Sequence, residues 1–428
     1  SAVAAAQQPT RALSAADYDK AVKWLAPAVT PLVTGGSVAA TWLPDDRFWY
    51  RNTTATGAEV VLVDPAKKTR VVCDAQSSNC PGAPTAAQAA EAARGGRGGR
   101  GGGGGGRGGT GNTVLSPDGQ RAAFIRDWNL WVRDVATNQE KQLTTDGSKD
   151  FGYATDNAGW AGSDRPMLLW SPDSKKIATS QQDERKVGEM YLVETKVGHP
   201  VLKAWKYPLP GDSVVAMLQR VIIDVDAGRV TRLQLPSEYH RATLGDNISM
   251  SDYKWSPDAA RLALASTSRD HKSATLRVAD AATGAVRTVF DETVKTHYES
   301  RTGWQVLWPT NEVIWYSQRD DWGQLYLYDL NTGKLKNQVT TGEGPVTQIV
   351  RVDEKSRTVW YGAMGREKGQ DPYFTHFYRV GLDGKNVVSL TPGEGDHTAV
   401  LSTSGRYLVD SYSKADVRPV SEVRDGDG

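Results

Sequence analysis

The sequence predicts an all-β chain, an eight-bladed β-propeller of four-stranded blades with a short N-terminal helical segment. Three observations carry that reading. A Ser-Pro-Asp turn recurs, at Ser116-Pro117-Asp118, Ser171-Pro172-Asp173 and Ser256-Pro257-Asp258. Each copy leads into short strands of period two, as in Leu325-Tyr326-Leu327-Tyr328, and then into turns such as Thr137-Asn138, Thr283-Gly284 and Asn331-Thr332-Gly333. Setting aside residues 1–36 and 81–112 leaves roughly 360 residues, enough for about eight blades of 40–45 residues each.

Along the chain, residues 1–36 form an N-terminal segment, and helical periodicity is convincing only near Ala15 to Leu25. Its start, Ser1-Ala2-Val3-Ala4-Ala5-Ala6, reads either as the small-residue tail of a secretory signal or as an Ala-rich disordered start. The propeller then occupies residues 37–428. Its first copy runs from Trp42-Leu43-Pro44-Asp45 to Val61-Leu62-Val63-Asp64. Later copies follow the three Ser-Pro-Asp turns, then Glu312 to Gly333, Thr358 to Gly384, and Leu401-Ser402 onward. Proline presets φ in these turns, Asp bonds the backbone two residues on, and Asn or Gly supplies the positive φ of tight hairpins. The last residues, Val423 to Gly428, are turn-like without a closing element, so a continuation beyond Gly428 is expected.

The insertion at 81–112 contains Gly95 to Gly111, where thirteen of seventeen residues are glycine, punctuated by Arg97, Arg100 and Arg107. Such a stretch buries too little apolar surface to offset its chain entropy, and a mobile loop is expected. Arg-Gly-Gly tracts also bind nucleic acid, but no aromatic residue is interleaved here. Cys73 and Cys80 either form a disulfide, which would fit an oxidising compartment, or stay as thiols. Export to the periplasm or beyond is the expectation.

Composition narrows the function. With 51 Lys+Arg against 50 Asp+Glu, the net charge is +1, which argues against a polyanion binder with a uniformly basic surface. No apolar run approaches the ~18 residues of a membrane span. Gly-x-Ser-x-Gly, His-Glu-x-x-His, Cys-x-x-Cys and the phosphate-binding Gly-x-x-x-x-Gly-Lys are absent. The six histidines, His199, His240, His271, His297, His376 and His397, lack metal-ligand spacing and are expected on loops and blade edges. No catalytic triad, metal or cofactor is therefore expected within this chain.

The order of segments resembles the N-terminal eight-bladed propeller of the dipeptidyl peptidase IV branch of the prolyl oligopeptidase family. The stretches that carry the resemblance are Trp49-Tyr50-Arg51-Asn52-Thr53, Asp156 to Trp160, and Leu169 to Asp173. Gly188 to Val193, Lys206 to Asp212 and Ser317 to Tyr326 continue it. It implies an α/β-hydrolase domain beyond residue 428 that holds the Ser-Asp-His triad, with the propeller admitting only short peptides or peptide ends. The parent protein would then release N-terminal dipeptides after Pro or Ala. The alternative is a non-catalytic propeller acting as an interaction scaffold.

Four substrate-binding candidates follow from the resemblance. Arg51 matches an arginine that hydrogen-bonds a substrate carbonyl, a role suited to a guanidinium fork; otherwise it is a surface arginine paired with an acid. The family holds the substrate ammonium with two adjacent glutamates, but the matching stretch here reads Asp156 to Asp164 without them. Asp156 and Asp164 would replace that anchor, with Trp160 as a cation–π face, or Asp156-Asn157 forms a turn and Asp164-Arg165 an ion pair. Asp183-Glu184-Arg185-Lys186 reads as a solvated hairpin tip. The arm from Gly188 to Lys206 matches a segment that makes homodimer contacts in the family.

Overall fold

The structure is a computed structural model that describes the chain except residues 1–12, 26–28, 30–31, 33, 37, 96–111, 156–163, 196, 240–249 and 300–302. Among the described residues the strands form eight antiparallel sheets. Five have four strands in consecutive order. The first joins Thr41–Trp42, Phe48–Thr54, Gly57–Asp64 and Thr69–Val72, and the second Val114–Leu115, Arg121–Arg126, Asn129–Asp134 and Glu140–Gln142. The others begin at Tyr253–Trp255, Gln305–Leu307 and Val346–Asp353, and the last sheet has three strands from Asp396–Leu401 to Val417–Asp425. The third sheet is enlarged to six strands around Lys176–Asp183 and Met217–Asp224. Repeated units of this kind are propeller blades. Seven sheets have blade size; the eighth is a two-stranded hairpin, Glu189–Glu194 with Val201–Lys206, inserted between two strands of the third.

The repeated turns explain the repeated sheets. Ser116 Oγ donates to Asp118 (2.6 Å) and accepts from the Arg121 amide (3.0 Å). Ser171 does the same with Asp173 and Lys176, and Ser256 with Asp258 and Arg261. At the same end of the second sheet and of the one that begins at Tyr253–Trp255, Asp134 and Asp280 accept from the amide and hydroxyl of Thr137 and Thr283, and Asp329 does so from Thr332 in the sheet that begins at Gln305–Leu307. The residue that closes each turn is left-handed: Asn138, Gly284 and Gly333. At Gly333 a Cβ would lie 1.9 Å from the Val289 carbonyl, so glycine there also permits close approach of the neighbouring sheet.

The chain forms two compact units, one of residues 1–100, 362–379 and 387–428, the other of 101–361 and 380–386. In the second unit, consecutive sheets interleave apolar faces: Trp304, Trp315, Tyr326 and Tyr328 fill one layer, and Leu130, Tyr153, Trp170, Ile177 and Ile223 another. The recurring tryptophans thus pack between blades, as their spacing suggests. Trp170 Nε1 donates to Val114 O (3.2 Å) and Trp255 Nε1 to Leu169 O (3.4 Å), tying each first strand to the one before. Within the first unit, Trp42 Nε1 makes the corresponding bond to Val400 O (3.1 Å).

Two local expectations change. The insertion contains a second helix, Ala86–Gly95, because Thr85 and Gln88 cap it reciprocally and alanine dominates its first turns. The glycine tract after it lies outside the described residues. His376 and His397 are buried, each 2% exposed, because their sheet positions face inward and each Nδ1 finds a partner, the Thr391 carbonyl for His376 and the Asp410 carboxylate for His397. The N-terminal helix spans Ala15–Val22, capped by Ser14 and Asp17. No helix among the described residues is long and apolar enough to cross a membrane.

Candidate functional site

Within the second unit, the short strand Phe151–Tyr153 lies antiparallel on the end of Lys176–Asp183, with Phe151 opposite Asp183 and Tyr153 opposite Gln181. The Ala154 amide donates to Ser180 O (2.9 Å), and the Met167 amide donates back to Ala154 O (2.8 Å). Thr179 Oγ1 donates to Met167 O (2.6 Å). These bonds close the base of segment 155–166, which carries three of the predicted binding residues. Asp156 and Trp160 lie outside the described residues. Asp164 accepts from Asn112 Nδ2 at 3.3 Å.

The strand reaches that position by crossing a hairpin tip. Asp127 and Trp128 form the tip between Arg121–Arg126 and Asn129–Asp134, both with left-handed φ (48° and 59°). The Asn129 side chain holds the crossing chain: its Oδ1 accepts from Gly147 N (2.9 Å) and its Nδ2 donates to Gly147 O and Asp127 O. A Cβ on Gly147 would sit 2.3 Å from Trp128 O, so the two backbones touch only because glycine is there. The Tyr153 amide then donates to Trp128 O at 2.9 Å.

Beneath the strand lies a polar node. Arg232 Nη2 donates to Gln181 Oε1 (2.8 Å), Tyr153 Oη (3.1 Å) and Asp146 (3.2 Å), and Tyr153 Oη donates to Asp146 (2.8 Å). Burial and the bond to the Asp146 carboxylate push the Tyr153 phenol well above its ordinary range, so it stays a donor. Asp146, Tyr153, Thr144 and Arg232 border a cleft of about 610 Å³ beside the outer strands of the second and third sheets. None of this node was singled out from sequence, where its members stand far apart without a motif.

In the run at 183–186, Arg185 and Lys186 are exposed, as a solvated tip requires, and Glu184 departs from that reading. Asp183 takes both arms of Arg185, whose guanidinium lies 4.1 Å from the centre of the Phe151 ring. Glu184 is buried at 3% exposure, because its amide bonds Asp150 O and draws the chain inward. The hairpin beyond it keeps Tyr191, Leu192, Val193 and Leu202 exposed.

Arg51 belongs to the other unit. It lies on Phe48–Thr54 opposite Val60 and is exposed. Its strand neighbours are engaged, Tyr50 by Arg70 and Asn52 by Glu59. Among the described residues Arg51 itself forms no ion pair. Cys73 and Cys80 are joined as a disulfide, with Cα atoms 5.6 Å apart. No group of three or more metal-ligating side chains occurs among the described residues.

Comparison with known proteins adds a consistent picture. Residues 107–419 match the family described as the dipeptidyl peptidase IV (DPP IV) N-terminal region. Probable dipeptidyl-aminopeptidase B of Aspergillus oryzae is 22% identical over 330 residues, covering 70% of this chain and 35% of that protein. The same-named protein of Phaeosphaeria nodorum is 24% identical, with 69% and 35% covered. The crystal structure of Porphyromonas gingivalis dipeptidyl peptidase 4 superposes with a TM-score of 0.60 at 18% identity, covering 90% of this chain and 48% of that one. A putative dipeptidyl aminopeptidase IV from Bacteroides ovatus gives 0.59 at 20% identity, covering 91% and 50%. The chain thus spans about a third of the length of the curated relatives it matches and half of the solved chains.

Proposed function

Because the chain belongs to the dipeptidyl peptidase IV N-terminal region family, we propose that it is the substrate-gating propeller of an exported serine peptidase that releases N-terminal dipeptides after Pro or Ala. The observation that carries this reading is the family match over residues 107–419, and the bond from the Met167 amide to the Ala154 carbonyl, which brings together the two ends of segment 155–166, supports it. In this reading Asp156 and Asp164 hold the substrate's free ammonium and Trp160 faces it, in place of a glutamate pair. In it the Arg51 guanidinium, exposed and without an ion pair among the described residues, bonds a substrate carbonyl.

The hydrolase triad lies on chain outside these 428 residues, and that domain is the propeller's first partner. The Cys73–Cys80 disulfide supports a periplasmic or secreted location. The exposed apolar hairpin at Glu189–Lys206 supports a homodimer of the longer protein, read out as its mass by light scattering.

The test is hydrolysis by the full-length protein of Ala-Pro and Gly-Pro chromogenic peptides with free and acetylated N-termini. Cleavage of the free forms alone is expected, with kcat/KM reduced at least tenfold by Asp164→Asn or Arg51→Ala. Equal cleavage of the acetylated forms removes the ammonium anchor from the reading. No cleavage of either leaves a propeller that binds without catalysing.

A further inference from the structure

We propose that the layer between the third sheet and the sheet that begins at Tyr253–Trp255 binds a halide-sized anion, held by Arg220 Nη2 and Gln182 Nε2. The site stands on this layer alone and is independent of the peptidase reading.

Strand alternation sets the face. Ala178 and Ile222 share one apolar cluster with Leu262 and Leu264 of the neighbouring sheet, so they point towards it. The register between Lys176–Asp183 and Met217–Asp224 runs without a shift, which puts Ser180, Gln182, Leu218 and Arg220 on the same face. Gln182 stands opposite Leu218, and Glu238 stands opposite Leu218 on its other side. Arg220, one row along, is a diagonal neighbour of Gln182, within reach of long side chains.

Two orphaned groups share that face. Arg220 and Gln182 are each 1% exposed. Arg220 Nε donates to Glu238, and the guanidinium lies 4.9 Å from the centre of the Tyr253 ring, but Nη2 has no hydrogen-bond partner. The Gln182 side chain has none at either end. Buried donors left unpaired are costly, and this pair calls for an acceptor between them.

Charge selects the class of acceptor. Glu238 is shared with Arg277, whose Nη1 donates to it at 3.0 Å and to Ser266 Oγ at 2.6 Å. Burial would raise the Glu238 carboxyl, but Arg220 and the other donors outweigh it and hold the group low. It therefore sets one negative charge against two guanidiniums. Burial pushes the Tyr253 phenol up, so that ring stays neutral. Asp252 acts on Tyr253 but also on the Lys254 ammonium, which balances it. One positive charge is left over, and an anion answers both the excess charge and the free donors. The depth of burial restricts it to the size of a halide.

The next layer shows a set that closes on itself. Between this sheet and the one that begins at Gln305–Leu307, Glu292 accepts from Trp315 Nε1 (2.9 Å), Ser317 Oγ and one arginine, Arg319 Nη2 (3.0 Å). There one guanidinium meets one carboxylate, and no buried side-chain nitrogen or oxygen of Trp315, Ser317 or Arg319 lacks a partner.

The test is thermal unfolding of the full-length protein with sodium gluconate exchanged for sodium chloride at constant ionic strength. From chloride-free buffer to about 150 mM chloride the Tm is expected to rise by about 1–3 °C, as for a ligand bound by the folded state alone. Gln182→Leu keeps the volume and removes the amide; Arg220→Lys keeps the charge and removes the fork. Each is expected to lose at least half of the rise. Bromide soaked into crystals of the wild-type protein reads the site without any variant, and an anomalous peak is expected between Arg220 and Gln182. A Tm indifferent to chloride, or an unchanged rise in folded Gln182→Leu, overturns the proposal. So does a bromide map without a peak in this layer, which would leave water as the bridge. A bromide peak with no chloride-dependent Tm marks an adventitious ion only and overturns it equally.

Discussion

The hairpin tips at Asp127–Trp128 and Asp321–Trp322 occupy matching places in the second sheet and in the sheet that begins at Gln305–Leu307. Both are clamped alike. Thr144 Oγ1 accepts from the Leu130 amide (2.9 Å) and donates to Asn129 Oδ1 (3.0 Å); Thr340 Oγ1 accepts from the Leu325 amide (2.8 Å) and donates to Gln324 Oε1 (2.7 Å). In each case the amide side chain then bonds glycine backbone just beyond, Gly147 or Gly342. The difference lies in what the returning chain does. After Gly147 it crosses the tip and builds an extra strand, whereas after Gly344 it enters the first strand of the next sheet, Val346–Asp353. One repeat is plain scaffold, and the other carries the base of a loop. Departure from the repeat therefore marks the candidate site better than any single residue type does.

The largest expected effect falls on the crossing. Gly147→Ala places a methyl group against the Trp128 carbonyl and should destabilise by about 3 kcal/mol, at the upper end of overpacking costs. Urea unfolding measures the loss, and faster hydrogen exchange at Tyr153 locates it. A loss below about 1 kcal/mol would mean that the crossing yields easily, and the contrast between the two tips would weaken.

Next come the clamps. Thr144→Val and Thr340→Val each strip a buried amide N–H and a buried side-chain oxygen of a partner, at about 2 kcal/mol apiece. If the scaffolds are equivalent, the two losses agree within about 0.5 kcal/mol. A much larger loss at Thr144 would show that the crossing strand leans on the clamp.

Much of this architecture was legible in the sequence. Ser-Pro-Asp and the Thr-Gly turns announce the strands because the same few hydrogen bonds are rebuilt at every copy. The helix Ala86–Gly95 was legible too, in Thr85 and Gln88 three residues apart, but the glycine tract beside it hid the signal. The node of Asp146, Tyr153, Gln181 and Arg232 was not legible, since a blade pairs residues up to 86 positions apart without fixing their spacing. Burial of Glu184 was hidden for a similar reason, because it depends on the Asp150 carbonyl across the sheet. Of the binding candidates, Arg51 lies on the strand Phe48–Thr54 and Asp164 in irregular chain beside Asn112, while their role rests on family resemblance.

A smaller effect, specific to pH, distinguishes the plainer sheet. Glu312 is buried at 2% exposure and accepts from Lys336 and from both arms of Arg357. Burial alone would raise its carboxyl, but the bonds from Arg357 and Lys336 outweigh it and hold the group down at about 2. A depressed carboxylate stabilises the fold above its unfolded value of 4.5 and loses that contribution as pH falls towards 2. Glu312→Gln should cost about 1–2 kcal/mol at pH 7 and progressively less below pH 4.5. A constant difference between pH 7 and pH 3 would mean that the triad acts through shape and not through charge.

The smallest expected effect is the most direct control on the comparison. Trp322 is 47% exposed, close to the 40% of Trp128, but it adopts strand geometry after the left-handed Asp321 and stands opposite Asp320. Exposure alone therefore does not separate the two tryptophans; strain and the crossing strand do. Trp322→Ala should change stability by no more than about 0.5 kcal/mol, the ordinary range for a surface position. A loss above about 1 kcal/mol would show that this tip also bears on the fold, and the contrast between the two tips would weaken.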